Sequence, residues 1–153
     1  MFRAQRTDRC PSYMPQFDWK DVVKQGCIGA GAYAEVAKYK SAEHGIVAIK
    51  SLHSRCIMYR KGFVKEATIL YRLSHPNIAK FLGYSRTGDD AIMLEYVGFD
   101  FCVIFQDLNV TCHSLDALLV QLDEHDFQEC KHLHDPIADA MIKGLQYLHS
   151  KGI

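Results

Sequence analysis

Residues 29–40 read GAGAYAEVAKYK, and the residues after the two glycines decide between several folds. Gly29-Ala30-Gly31-Ala32-Tyr33-Ala34 fits the phosphate-loop pattern G-x-G-x-x-G except at the last position, where Ala34 replaces the third glycine. In a dinucleotide-binding fold such a loop opens a helix whose N-terminus holds the pyrophosphate. Here Val36-Ala37-Lys38-Tyr39-Lys40 has the two-residue period of a half-buried strand and shows no helical face. A Walker loop is excluded, since no Gly-Lys-Ser or Gly-Lys-Thr closes the stretch. A glycine hairpin lying over phosphates remains, beside a small-residue turn that binds nothing.

The neighbouring residues extend the strand reading in both directions. Residues 21–28 (DVVKQGCI) lead into the loop, and a polar break at Ser41 to Gly45 precedes the β-branched run Ile46-Val47-Ala48-Ile49-Lys50. Three antiparallel strands joined by short turns are expected. Phe63, Ala67, Leu70 and Leu73 then recur at helical spacing, and His75-Pro76-Asn77 ends that helix. Ile78 to Tyr84 and Ala91 to Tyr96 are two further strand candidates, separated by the turn-forming Arg86-Thr87-Gly88-Asp89-Asp90. Beyond Val97, after an apolar patch at Phe99 to Phe105, the chain is expected to be mostly helical. The patch itself is expected to be a buried hinge extension, with a partner surface as the alternative. A short helix is expected over Ser114 to Leu122, and a final helix carries Ile137, Met141, Ile142, Leu145 and Leu148. That last helix starts at Asp135-Pro136, or near Asp126 with a kink at Pro136. Residues 1–16, with three arginines and two prolines, read as a flexible tail.

Bulk composition removes several classes of function. The 153 residues are 48% apolar and 24% charged, with 18 basic and 18 acidic side chains. That balance gives no basic excess for nucleic acid. No apolar run is long enough for a membrane helix. The six cysteines are scattered and form no Cys-x-x-Cys pair, so reduced thiols and a cytoplasmic location are expected. Cys130, His132 and His134 alternate at a spacing unlike a zinc ligand pair, so no metal is expected there.

The chemistry concentrates on one lysine. Lys50 ends an otherwise apolar strand, where its charge is costly unless paired or carried out to water. Glu66 lies on the following helix, among the inward-facing Phe63, Ala67 and Leu70, and can approach Lys50 while phosphates occupy the other side of the ammonium.

The glycine loop ending in Val36, the Val47-Ala48-Ile49-Lys50 strand and the Glu66 helix resemble, in this order, the N-terminal lobe of a eukaryotic protein kinase. His75-Pro76-Asn77-Ile78, Leu94-Glu95-Tyr96-Val97 and Leu145-Gln146-Tyr147-Leu148-His149-Ser150-Lys151-Gly152-Ile153 resemble later landmarks of the same family, over about residues 17 to 153. The resemblance implies an α+β fold, with a five-stranded antiparallel sheet and one regulatory helix in residues 17–97 and the start of a second lobe in 98–153. It implies ATP bound by Ile28, Gly29, Ala30, Gly31, Ala32, Tyr33, Ala34, Val36, Ala48, Lys50, Glu95 and Val97, with Glu66 orienting Lys50 and Leu94 as gatekeeper. Leu70 and Phe81 would be hydrophobic spine positions. ATP and a protein substrate are the implied partners of the complete domain, with Mg²⁺ as its metal, and neither nucleic acid nor membrane is implied.

Two departures stand out. The methyl of Ala34 should limit positive φ and close backbone approach, altering nucleotide affinity. The sequence also contains no His-Arg-Asp catalytic loop, no Mg²⁺-binding Asn and no Asp-Phe-Gly. The expectation is therefore the ATP-binding part of a kinase domain, inactive by itself. Alternatives are a truncated regulatory module that binds ATP, or a dinucleotide-dependent oxidoreductase, which requires a helix directly after Ala34.

Overall fold

A computed structural model describes residues 11–53, 57–85, 87–103, 108–112, 120 and 134–153. These fall into two units, one within Met1–Ser74 and Ala79–Tyr96, the other within His75–Ile78 and Val97–Ile153.

The first unit is a six-stranded sheet with one helix. Its strands are β1 (Gln16–Phe17), β2 (Val22–Ala30), β3 (Ala34–Ser41), β4 (Gly45–Leu52), β5 (Phe81–Ser85) and β6 (Ala91–Glu95), in the order β1-β5-β6-β4-β3-β2. Five are antiparallel, as expected from the alternating segments. The sixth, β1, pairs in parallel with β5 through Gln16 opposite Tyr84 and Phe17 opposite Ser85. The fifth strand also starts later than expected, at Phe81, because Ile78 is drawn into a turn whose N–H reaches the His75 carbonyl at 3.0 Å.

Alternation along the strands divides the apolar residues between two faces. On one face Ala37, Tyr39, Val47, Ile49, Ala91 and Met93 form a buried cluster with Val22, covered by Phe17 and Trp19. On the other, Leu52, Phe81, Tyr84 and Ile92 pack against Phe63 and Ala67 of helix α1 (Arg60–Tyr71). Leu70, one turn further along, is partly buried on the same cluster. A register shift between Phe81 and Gly83 lets Leu82 join the first face while Phe81 and Tyr84 serve the second. The helix ends at Tyr71, before Leu73, with the Arg72 N–H bonded to the carbonyls of Ile69 and Leu70.

The tail expected over residues 1–16 does not describe residues 11–16. Met14 is 3% exposed and lies in the cluster beneath α1, while Tyr13 meets Tyr71 with ring centroids 5.7 Å apart. The Tyr84 N–H donates to the Pro15 carbonyl at 2.9 Å. A single well-placed apolar side chain and an edge pairing fix a segment that has no periodicity of its own.

The second unit holds a two-stranded antiparallel sheet, β7 (Phe99–Val103) and β8 (Leu108–Cys112), and helix α2 (His134–Ser150). Residues 108–112 are thus extended, contrary to the mostly helical expectation. Val103, Val110 and Thr111 are β-branched and Phe99 and Phe101 aromatic, residue types that suit a pleated surface. The burial expected at Phe99 to Phe105, the helix over Ser114 to Leu122 and the Cys130-His132-His134 cluster lie outside what is described. Pro136 falls in the first turn of α2, where a missing N–H costs nothing. Gly144, mid-helix, is buried against the His75–Ile78 segment, since an added Cβ would stand 3.4 Å from the Asn77 carbonyl oxygen. His75 stacks on Tyr147 at 4.8 Å in the same contact. Met141, Ile142 and Leu145 are each about half exposed.

Truncating Met14 tests the packed N-terminal segment. Met14→Ala should lower unfolding free energy by about 2–5 kcal/mol, whereas Val23→Ala at a 68% exposed site should stay within about 0.5 kcal/mol. Urea denaturation of both variants gives the comparison, and equal effects would return residues 11–16 to the status of a tail.

Candidate functional site

The glycine stretch forms the tip of the β2–β3 hairpin. Gly29 pairs with Val36 and Ala30 with Glu35, and Ile28 occupies a register shift between Cys27 and Gly29. Gly31, Ala32 and Tyr33 make the turn, closed by the Gly31 N–H on the Ala34 carbonyl at 2.9 Å. Strand β3, directly after this turn, excludes the dinucleotide reading, which needs a helix there. Ala34 is already the first residue of β3 and pairs with Leu52. Its methyl therefore occupies ordinary extended backbone, and the expected cost of losing a third glycine does not arise from a left-handed turn. Added Cβ atoms at Gly29 would meet nothing within 4 Å, and at Gly31 only the Ala34 carbonyl at 3.6 Å. The small residues are not demanded by the protein's own packing; they leave the loop's backbone open to approach.

The tip is held at its base. The His53 N–H donates to the Tyr33 carbonyl at 2.9 Å, and its ring Nε2 lies 3.3 Å from the Gly31 carbonyl. The Tyr33 ring lies 4.1 Å from that of Tyr59, in the turn just before α1. Lys24 and Glu35 form an ion pair across the hairpin.

Beneath the hairpin, register aligns the expected site residues in rows. Val36, Lys50 and Ile92 are direct neighbours on β3, β4 and β6, and Ala48 stands opposite Leu94. Directly paired residues share a face, and the alternation that buries Val47 and Ile49 sends Ala48 and Lys50 to the α1 side. There the Lys50 ammonium donates to both Glu66 carboxylate oxygens, at 2.7 and 2.9 Å. It also lies 5.8 Å from the centre of the Phe63 ring. Neither partner is sealed off, with side-chain exposures of 31% and 40%. Such a half-exposed pair contributes little to stability, at most about 1 kcal/mol. Its content is positional.

Leu94 is partly buried on the α1-side cluster. The Glu95 N–H is already spent on the Lys80 carbonyl at 2.9 Å, so only its carbonyl is left as a backbone group to offer a ligand. Val97 belongs to the second unit and its side chain is exposed. Sequence reading missed the contribution of Asp90, which ties the start of α1 to the sheet: Oδ2 is 2.6 Å from Arg60 Nε, and Oδ1 accepts from Arg60 Nη2 and from the Tyr84 hydroxyl, each at 3.0 Å. A turn aspartate gives no periodic signal, and only the fold brings it to a residue thirty positions away. Among the described residues, no three His, Cys, Asp or Glu side chains converge as metal ligands.

Comparison with known proteins agrees with this geometry. Residues 22–153 match the protein kinase domain, and the chain belongs to that family. It is 29% identical over 155 residues to the NT-3 growth factor receptor of Saimiri boliviensis boliviensis, covering 92% of this chain and 18% of that protein. The Homo sapiens NT-3 growth factor receptor is 30% identical over 118 residues, 71% of this chain and 13% of its own length. A probable serine/threonine-protein kinase, PBL21 of Arabidopsis thaliana, is 26% identical over 123 residues, 80% of this chain and 29% of its own. The chain therefore spans less than a third of each of these relatives.

Two groups in the hairpin titrate above their ordinary ranges. The hydrogen bond that Lys24 donates to Glu35 raises Lys24, and burial raises the Tyr39 phenol. For both, the stability they contribute is complete below the unfolded-state values near about 10 and is lost as pH climbs through the higher folded values. Denaturation midpoints followed from pH 9 upward should fall, and less steeply for Tyr39→Phe. A parallel fall in both proteins would exclude Tyr39 as a contributor.

Proposed function

We propose that this chain is the ATP-binding part of a kinase domain, with residues 17–97 as the N-lobe and hinge and 98–153 as the start of the second lobe. The observation that carries the proposal is the Lys50–Glu66 pair. An ammonium has three N–H donors, and Glu66 engages the ammonium on one side while Lys50 stays partly open to solvent. The open side is suited to the α- and β-phosphates, under a hairpin whose backbone carries no obstructing side chains at Gly29 and Gly31. Val36 and Ala48, on the same face, offer an apolar surface for one side of the adenine, and the Glu95 carbonyl a polar group for its edge.

The complete domain is proposed to transfer the ATP γ-phosphate to a protein hydroxyl. Mg²⁺, when bound in such a domain, neutralises charge on the β- and γ-phosphates. The groups that the family uses to hold it and to accept the substrate proton have no counterpart among these 153 residues. The polypeptide is accordingly proposed to bind nucleotide without turning it over. A cytoplasmic location belongs to the same proposal and rests on the scattered cysteines.

At one hundred times Kd, ATP should stabilise the chain by about 2.7 kcal/mol, seen as a rise in melting temperature. Lys50→Met should abolish most of that rise. Equal shifts in the two proteins would refute the site, and phosphoryl transfer by the purified 153-residue polypeptide would refute its inactivity.

A further inference from the structure

Helix α1 is poorly equipped to hold its own N-terminus. Its N-cap, Tyr59, makes no side-chain capping bond, and its first turn holds no acidic residue. That turn instead carries Arg60 and Lys61, whose positive charges face the positive end of the helix dipole, followed by the weak helix former Gly62. An added Cβ at Gly62 would meet nothing within 4 Å, so packing does not require the glycine. Asp90, from the β5–β6 turn, brings an anion to this end.

We propose that Asp90 is a positioning residue for the nucleotide site, setting the place of α1 and hence the contact of Glu66 with Lys50. The proposal rests on the reading of Lys50 as the phosphate-binding lysine. Asp90 is itself rigidly held. Its side chain is 17% exposed, its carbonyl accepts the Leu52 N–H at 2.9 Å, and it precedes Ala91, which is fully buried. Its carboxylate accepts a hydrogen bond from Arg60 Nη2 at 3.0 Å, with Arg60 Nε at ion-pair distance, 2.6 Å, but making no hydrogen bond, and it takes the hydroxyl of Tyr84, a residue 1% exposed. One residue thus joins the end of β4 through its backbone, and strand β5 and the start of α1 through its side chain.

Apolar contacts alone would not do this. Phe63 and Ala67 press α1 onto the sheet, but hydrophobic packing is non-directional and tolerates a slide or roll. A charge-assisted hydrogen bond from Arg60 Nη2, to an oxygen that the Tyr84 hydroxyl also holds, fixes direction as well as distance. Glu66 stands six residues beyond Arg60, about 9 Å along the axis, on the segment that this anchor governs. Both of its oxygens must stay within hydrogen-bond reach of Lys50, so small displacements of the helix break the pair.

The test labels Lys50 of the full chain with an amine-acylating reagent, without nucleotide, and reads each lysine by mass spectrometry. Asp90→Asn should raise Lys50 labelling several-fold, as Glu66→Gln does, while the exposed Lys40 stays unchanged. The double variant Asp90→Asn/Glu66→Gln should match Glu66→Gln alone, and Asp90→Glu should restore part of the protection. Arg60→Met, read in the same way, provides a second variant that removes the pair while keeping the aliphatic stem. Unchanged Lys50 labelling in folded Asp90→Asn, additive effects in the double variant, or unfolding of both single-site variants would overturn the proposal. Failure of ATP to bind the wild-type chain would instead refute the nucleotide reading, because the labelling needs no ATP.

Discussion

A charged lysine on the inner face of a mostly apolar sheet is the constraint around which the first unit is organised. Lys50 shares its face with Leu52 and Ile92, and burying an ammonium there unpaired would be costly. The cost is lowered by a carboxylate that arrives from α1, where Glu66 meets the part of the ammonium that water does not reach. Its placement draws in the apolar face of α1, the Met14 side chain packed beneath it and the Asp90 anchor at its start. A pair of small energetic weight therefore dictates the placement of groups that carry much more.

The two faces of the sheet divide the labour. The cluster around Val47, Ile49 and Met93 is closed by Phe17 and Trp19 and contributes burial without touching Lys50. The α1-side face is open at Val36, Ala48 and Lys50, which are only partly covered. Strand alternation gives both faces from one sequence, because Val47 and Ile49 point one way and Ala48 and Lys50 the other. The strand VAIK supplies a core and a site in four residues.

Legible in the sequence is whatever a short-range period or an ordered set of motifs records. The β2–β3–β4 meander, α1 and the pairing of Lys50 with Glu66 belong here, since alternation, helical spacing and charge cost act on near neighbours. The rest depends on long-range partners. Met14 and the parallel β1 have no pattern of their own, and only the edge of β5 gives them a place. Asp90 looks like any turn aspartate until Arg60 is brought to it. Residues 108–112 escape a strand reading because a mixed apolar segment of five carries too little period to decide. Ala34 looks like a defect when the glycine pattern is counted by position, whereas the backbone has already entered β3.

The bonds from His53 to Tyr33 and Gly31 make the glycine hairpin and the end of β4 a single mechanical piece. Raising the tip requires breaking the His53 contacts or moving His53 with it. Tyr33 also lies against Tyr59, at the threshold of the helix that bears Glu66. The glycine hairpin and the approach to the Glu66 helix thereby share contacts at Tyr33.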